Sequence, residues 1–354
     1  MEKAIIAMSG GVDSGVAALL MKNKGFEIIG VTMKLYDNED IGIDTEKSCC
    51  SLSDIEDARD VCDRIGIHHY VFNFKAEFKE KIIDNFIEIY ENGGTPNPCI
   101  RCNRWLKFEK LMQKMYELGY DKVVTGHYAR IEKQGERFIL KKAVDPTKDQ
   151  SYVLYELTQE QLAHVSFPLG ELSKTEVRKI AEENGFVNAH KRDSQDICFV
   201  PNGKYAEFIE SFMGKTYPEG DFTDTNGNIL GRHKGIIRYT IGQRKGLGLA
   251  LPCPMYVQKK DIENNRVVLC LNEELFSAEL FACDFNWLSI AQPTEPIRCR
   301  AKIRYNQKEQ PATAEVLLDG TVRVVFDEPQ RAICKGQAVV LYDGDVVLGG
   351  GTII

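Results

Sequence analysis

The first apolar run of the chain, Ala4-Ile5-Ile6-Ala7, opens directly onto Met8-Ser9-Gly10-Gly11-Val12-Asp13-Ser14-Gly15. No other junction restricts the fold as much. The run lacks polar alternation, so it reads as a strand buried on both faces, the habit of a parallel sheet. Val16 to Met21 is rich in helix formers and the pattern ends near Gly25. The octapeptide is therefore a strand-to-helix turn whose backbone N–H groups and helix N-terminus converge on an anion. The plainer alternative is a serine-capped helix after a tight turn.

The same rhythm continues to about Asp193. Apolar runs at 28–33, 70–74 and 122–125 alternate with helical patterns at 54–65, 77–90 and 103–118. This predicts a doubly wound α/β parallel sheet with ligands at the carboxyl ends of its strands. From about Ser194 to Cys270 the texture shifts to glycine, proline and basic residues, with a short helix near 205–213. Beyond Leu271 strand patterns dominate, and Asp319-Gly320 and Asp343-Gly344 mark hairpin turns. The expected division is an α/β domain over 1–195, a small central domain over 196–270 and a C-terminal β-barrel over 271–354, in keeping with a length of 354 residues.

A net charge of -7 argues against a generic nucleic-acid coat but leaves room for a local basic surface. The stretch GRHKGIIRYTIGQRKG holds Arg232, Lys234, Arg238, Arg244 and Lys245 with no acid, plus Tyr239. It reads equally as a phosphate track or a charged surface hairpin. No apolar stretch is long enough to span a bilayer, and the N-terminus lacks an export signal, so no membrane partner and a cytoplasmic location are expected. Eleven cysteines then belong to a reducing compartment. Cys62 shares a helical face with Ile55, Ala58 and Ile65 and reads as core, and Cys253, Cys270, Cys283, Cys299 and Cys334 read as structural.

Two stretches present thiols differently. In GGTPNPCIRCNRWLKFEKLM, Cys99 and Cys102 stand at the entrance of an amphipathic helix whose apolar face is Trp105, Phe108, Leu111, Met112 and Met115. The helix dipole, Arg101 and Arg104 all favour thiolate there. Cys198 follows an acidic turn in RDSQDICFVPNGKY, at the edge of the α/β domain. The first loop has neither the GxGxxG nor the GxxxxGK[ST] pattern. It resembles the SGGxDS loop of PP-loop ATP pyrophosphatases, which cleave ATP between the α- and β-phosphates and adenylate a substrate oxygen. Asp13 beside a polyanion then has to meet Mg²⁺ or orient the loop. The loop alone leaves the nucleophile undecided between ammonia and sulfur.

MSGGVDS, CCSLSDIEDAR, GGTPNPCIRCN, TGHYARI, KDQSYVLY, DSQDICFV and YTIGQRKGLG occur in this order along the chain. Together they resemble the bacterial tRNA-specific 2-thiouridylases across essentially the whole length. The resemblance implies ATP-dependent 2-thiolation of the wobble uridine, position 34 of tRNA, by adenylation of its C2 oxygen and transfer of a persulfide sulfur. It implies Cys198 as persulfide carrier and Cys102 as the partner that frees the sulfur, with a Cys102–Cys198 disulfide as by-product. Ala7, Met8, Ser9, Gly10, Gly11, Val12, Asp13 and Ser14 match the ATP loop, and Met33 and Gly126 match further nucleotide contacts. Asn97, Pro98 and Cys99 match the loop at the target base. His127, Lys148, Asp149, Gln150, Arg304, Tyr305 and Gln337 match tRNA contacts, the central domain and the barrel being tRNA-binding. ATP and Mg²⁺ are the implied cofactors, and a cysteine desulfurase or sulfur-carrier protein the implied donor.

Many relatives carry Asp at the position of Cys99. Cys99, Cys102 and Cys198 would make three thiolate ligands for a [4Fe-4S] cluster with one open corner; zinc is the competing reading, and its closed structural site wants a fourth ligand, which Cys49-Cys50 could supply. Two other functions compete: an amidating PP-loop ligase acting on a small carbonyl compound, and a non-catalytic RNA-binding or redox module.

Overall fold

The computed structural model describes residues 1–37, 52–191, 197–200 and 203–354. Ile5 and Ile6 of β1 (Lys3–Ala7) are fully buried in separate cores on the two faces of the sheet, and the strand has a parallel neighbour on each side. Those neighbours are β2 (Glu27–Lys34) and β4 (Lys122–Val124), flanked in turn by β3 (His69–Asn73) and β7 (Val165–Ser166), giving the order β3-β2-β1-β4-β7. Helix α1 (Val12–Asn23) covers one face together with α2 (Leu52–Ile65) and the helix Lys174–Glu183; Cys62 is fully buried in this layer, as its helical face predicted. On the other face lie two longer helices, 75–91 and 98–117.

Each of those two helices contains a π-helical stretch, Lys79–Ile83 and Asn103–Lys110. The wider turn advances the buried stripe by a residue, so Leu106 is fully buried beside Phe108, Leu111 and Met115. Trp105, expected in that stripe, instead lies on its flank with the Arg104 guanidinium 4.7 Å and the Lys81 ammonium 5.6 Å from its ring.

The α/β sequence also holds a hairpin that hydrophobic patterning missed, β5 (Ala129–Gln134) and β6 (Arg137–Lys142). The central sheet has the order β10-β11-β8-β9, from β8 (Gly220–Thr223), β9 (Ile229–His233), β10 (Tyr256–Asp261) and β11 (Arg266–Cys270). The remaining strands are β12 (Phe276–Trp287), β13 (Ile297–Lys302), β14 (Gln310–Val316), β15 (Val322–Arg331), β16 (Ala338–Asp343) and β17 (Val346–Ile353). They run β12-β15-β14-β13-β16-β17, and a β12–β17 pairing closes them into an antiparallel barrel. Gly320 and Gly344, both at positive φ, make the expected hairpin turns. The overlooked hairpin joins this barrel, β6 pairing with β17 through Lys141 and Val346. No helix among the described residues is long and apolar enough to cross a membrane.

Candidate nucleotide and sulfur-transfer site

The loop Ser9–Ser14 leaves β1 where the strand order reverses, between β1 and β4. Open α/β sheets bind ligands in the crevice at that point. Gly11 precedes α1 in extended backbone, and no side chain caps the helix. The serines serve the loop itself: Ser14 Oγ donates to Gly11 O at 3.0 Å, lies 3.3 Å from Ser9 Oγ and accepts from the Ser9 N–H at 3.2 Å. With no side-chain cap, the first-turn N–H groups of α1 are presented to an anion.

Two glycines are required by close approach. Gly10 has φ +72°, and a Cβ there would meet Asp54 O at 2.4 Å. A Cβ on Gly126, just beyond β4, would lie 2.8 Å from Asp13 C and 2.9 Å from Ser14 N. The Gly10 carbonyl accepts from Asn188 Nδ2 at 3.0 Å, and Lys191 Nζ stands 3.5 Å away while pairing with Asp54 at 2.6 Å and with Asp57. These contacts tie α2 and the segment after the helix Lys174–Glu183 to the loop.

Asp13 is tied to two neighbouring segments. Lys174 Nζ lies 2.8 Å from both of its carboxylate oxygens, and the Tyr128 hydroxyl donates to one at 2.8 Å. Ala7 is half-buried, Val12 lies 3% exposed, and Met8 and Met33 are buried in the two separate cores at the ends of β1 and β2, where the Met8 N–H donates to Val31 O and Thr32 Oγ1 to Met8 O.

A chain of bonds leads from this loop to the barrel. The Tyr128 N–H donates to Gln150 Oε1 at 2.9 Å, and the Gln150 N–H donates back to Tyr128 O at 2.9 Å. Beside Gln150, Asp149 accepts from the Ala143 and Ser151 N–H groups at 3.1 and 3.2 Å, and its carbonyl accepts from the Tyr305 hydroxyl at 3.3 Å. Burial, then the Asp149 carboxylate, then Cys99 push the Tyr305 phenol above its usual range, which sets all three near one another. The Lys148 N–H closes a turn onto Asp145 O.

Asn97 caps the helix 98–117, its Oδ1 accepting from the Cys99 N–H at 3.2 Å, with Pro98 in the first turn. Cys99 is exposed and Cys102 half-buried. Arg101 Nε donates to Asn85 Oδ1 at 3.0 Å, fixing this turn to the helix 75–91. Cys198, also half-buried, is set against the same helix: Phe199 packs edge-on to Phe86 at 5.1 Å and Phe78 at 5.5 Å, and the Tyr36 hydroxyl donates to Cys198 O at 2.8 Å. Both thiol stations thus grip adjacent residues, Asn85 and Phe86, of one helix.

Among the described residues no three His, Cys, Asp or Glu side chains are gathered to hold a metal, so Cys99, Cys102 and Cys198 form no ligand set. Phe199 and Tyr36 hold residue 198 by packing and hydrogen bonding instead. Cys49 and Cys50 lie outside the described residues, as do Asp193 to Asp196.

Three residues expected to contact RNA also bond within the protein. His127 is 8% exposed, its Nδ1 2.7 Å from Thr125 Oγ1 and its ring 5.9 Å from Phe108 and 5.8 Å from Phe167. Burial holds it well below the usual histidine range, so it is a neutral core residue. Gln337 Nε2 donates to Thr95 O at 2.8 Å and Pro96 O at 3.2 Å. Arg304 donates to Ala332 O at 2.7 Å and contacts Cys334 Sγ at 3.1 Å. In the basic stretch Tyr239 is core, edge-on to Phe222, while Arg232 pairs with Asp221 and Arg238 with Glu207 and Glu210. Lys234, Arg244 and Lys245 remain on the surface. Sequence reasoning missed Lys174, Asn188 and Lys191, which carry no local signal, whereas Asp54, Asp57 and Tyr128 lie within the quoted SDIEDAR and TGHYARI stretches.

The doubly wound sheet, the uncapped α1 and the glycine-lined SGGVDS turn define a nucleotide-binding α/β protein of the PP-loop class with two appended β domains. The family model described as "tRNA methyl transferase HUP domain" matches residues 2–202, "tRNA methyl transferase PRC-barrel domain" 206–271 and "Aminomethyltransferase beta-barrel domain" 277–353. The chain is 53% identical over 354 residues to the tRNA-specific 2-thiouridylase MnmA of Clostridioides difficile (strain 630), covering 99% of this chain and 98% of that one. It is 51% identical over 355 residues to the tRNA-specific 2-thiouridylase MnmA of Acetivibrio thermocellus, covering 99% of each. A solved 4-thiouridine synthetase–RNA complex with bound ATP is similar at 20% identity and a TM-score of 0.39, over 60% of this chain and 50% of that chain. The chain belongs to the family of tRNA-specific 2-thiouridylases.

Proposed function

We propose that the protein uses ATP to replace the C2 oxygen of the wobble uridine, position 34 of tRNA, by sulfur. ATP enters as its magnesium complex, with its phosphates on the Ser9–Ser14 loop and the α1 N-terminus and its base near Met33 and Gly126. Asp13 is engaged by Lys174 and Tyr128, and magnesium bound with ATP would supply charge neutralisation on the phosphates that the Ser9–Ser14 loop would hold. The uridine C2 oxygen attacks the α-phosphate, pyrophosphate leaves, and C2 then bears AMP as a good leaving group. Cys102 thiolate attacks the inner sulfur of a persulfide on Cys198, forming the Cys102–Cys198 disulfide and releasing hydrosulfide. Hydrosulfide adds to C2 and AMP departs. Asn97 to Cys99 receive the target base, and Lys148 to Gln150, Arg304 and Tyr305 border the RNA path, continued by Lys234, Arg244 and Lys245. The persulfide is loaded by a cysteine desulfurase or sulfur carrier in the cytoplasm.

The full-length match to 2-thiouridylases carries this reading. The geometry supports it by placing the loop at the β1–β4 reversal and both thiol stations on the helix 75–91. The test incubates the protein with ATP, Mg²⁺, unmodified tRNA, cysteine and a desulfurase, and digests the RNA to nucleosides. The expected product is 2-thiouridine at position 34, lost with Cys102→Ser or Cys198→Ser. Pyrophosphate release without thiolated nucleoside in the wild type would refute the reading in favour of an amidating ligase.

A further inference from the structure

Residues 93–97, Gly-Gly-Thr-Pro-Asn, connect the helix 75–91 to the cap of the helix that carries Cys99 and Cys102. The other two domains hold this connection by its backbone. From the central sheet, Lys260 Nζ donates to Gly94 O at 3.2 Å and lies 5.6 Å from the Tyr90 ring centroid. From the barrel, Gln337 donates to Thr95 O and Pro96 O, and Lys335 O accepts from the Thr95 N–H at 2.8 Å. The fit is close: a Cβ on Gly93 would meet Ile262 at 3.3 Å, one on Gly94 would meet Lys335 O at 3.1 Å, and one on Gly336 would meet Thr95 N at 3.2 Å. Just upstream, Lys215 and Tyr217 both grip Glu91, and Tyr205 stacks on Tyr90 at 4.5 Å.

Lys260 is 8% exposed, and no carboxylate pairs with it among the described residues. Burial pushes its ammonium down to about 8. A buried cation facing one carbonyl, one ring and the Cys334 thiol is a poor way to stabilise a fold, since an apolar side chain of the same length avoids the desolvation cost. It is a good way to fix one carbonyl in one place.

We propose that Lys260 and Gln337 are positioning residues, a clamp by which the central domain and the barrel set the loop 93–97 and so place Cys99 and Cys102 for sulfur delivery. The inference rests on the thiolation reading and adds a role for residues that touch neither ATP nor the thiols. Lys260→Met keeps the aliphatic stem and removes the donor; Lys259→Met, on the exposed neighbour in the same strand, removes the same charge and serves as control. Two readouts are taken on the full chain: maleimide labelling rates at Cys99 and Cys102 mapped by mass spectrometry, and steady-state thiolation. Labelling at Cys99 or Cys102 is expected to rise about fivefold in Lys260→Met and Gln337→Ala, the effect of releasing one restraint. The kcat for thiolation should fall at least about tenfold with the KM for ATP unchanged, on a scale where 1 Å of misplacement costs about 100-fold. Lys259→Met should leave labelling unchanged. Wild-type labelling rates in Lys260→Met, or equal effects in the two lysine variants, overturn the clamp. If Lys260→Met does not fold, Gln337→Ala decides from the barrel side by the same criteria. Labelling requires no turnover, so a wild-type protein that makes no 2-thiouridine would refute the thiolation reading alone while the clamp is still read.

Discussion

Replacing Lys174 by Met tests whether Asp13 is a structural anion that the fold must neutralise. The ammonium lies 2.8 Å from both carboxylate oxygens, with the lysine side chain 11% and the aspartate side chain 30% exposed. A charge-assisted hydrogen bond contributes about 1.5–3 kcal/mol, and removing one partner of a buried pair costs about 3–5 kcal/mol. Partial exposure of Asp13 screens that figure, so about 2–3 kcal/mol is expected to fall on binding of the triphosphate, which then meets an uncompensated carboxylate. This corresponds to roughly 30- to 150-fold weaker ATP binding. Calorimetric titration of ATP and Mg²⁺ without tRNA measures it, with the thermal midpoint as a check on folding. Asp13→Asn in the Lys174→Met background removes the offending charge and should recover most of the loss, a coupling of about 2 kcal/mol in the double-mutant cycle. If the double variant binds as weakly as Lys174→Met alone, Lys174 acts on the nucleotide directly and the neutralisation argument is refuted.

Gly126→Ala should fold normally yet bind ATP at least about tenfold more weakly by the same titration, because its Cβ would press on the Asp13–Ser14 backbone at 2.8–2.9 Å, closer than real contacts permit. A pH dependence follows from His127, whose folded pKa is depressed by burial. Its neutral form stabilises the fold fully above the unfolded value of ~6.5, and that contribution is lost as pH falls below it because the unfolded chain takes up the proton. His69 and His233 are shifted the same way by burial, so His127→Gln should flatten only part of the wild-type loss of urea stability between about pH 7.5 and pH 5.5; an unchanged slope would remove His127 from the account.

Elements with their own periodicity were legible from sequence. Ile5 and Ile6, the face of α2 around Cys62, and the Asp-Gly hairpins of the barrel all lie where patterning set them. The loop was legible because its glycines answer local demands, positive φ at Gly10 and backbone approach at Gly126. What remained hidden is non-local. Lys174 reaches Asp13 across 161 residues of chain, and Asn188 reaches Gly10 across 178. His127 and Gln337 show the converse. Each is polar and reads as an RNA contact in the sequence, and in the fold one lies between two phenylalanines and the other bonds two carbonyls. A side chain's polarity specifies that it needs a partner, not whether the partner is RNA or the protein's own backbone.

The three textures of the sequence suggest three bodies in a row, and the bonding argues for one frame. Tyr128 ties Asp13 of the nucleotide loop to Gln150, and the next residue, Asp149, receives Tyr305 from the barrel. The hairpin that begins at Ala129 carries Arg130 and Lys141 to Asp345 at 2.6 and 3.3 Å, on the turn between β16 and β17. The barrel therefore contacts the α/β domain at two places that follow Tyr128 in the chain, β6 and the turn at 149–151. A displacement of the barrel by bound RNA must move Tyr128 or break one of these contacts. Since Tyr128 donates directly to Asp13, the nucleotide loop is bonded through Tyr128 and Gln150 to the segment that the barrel contacts.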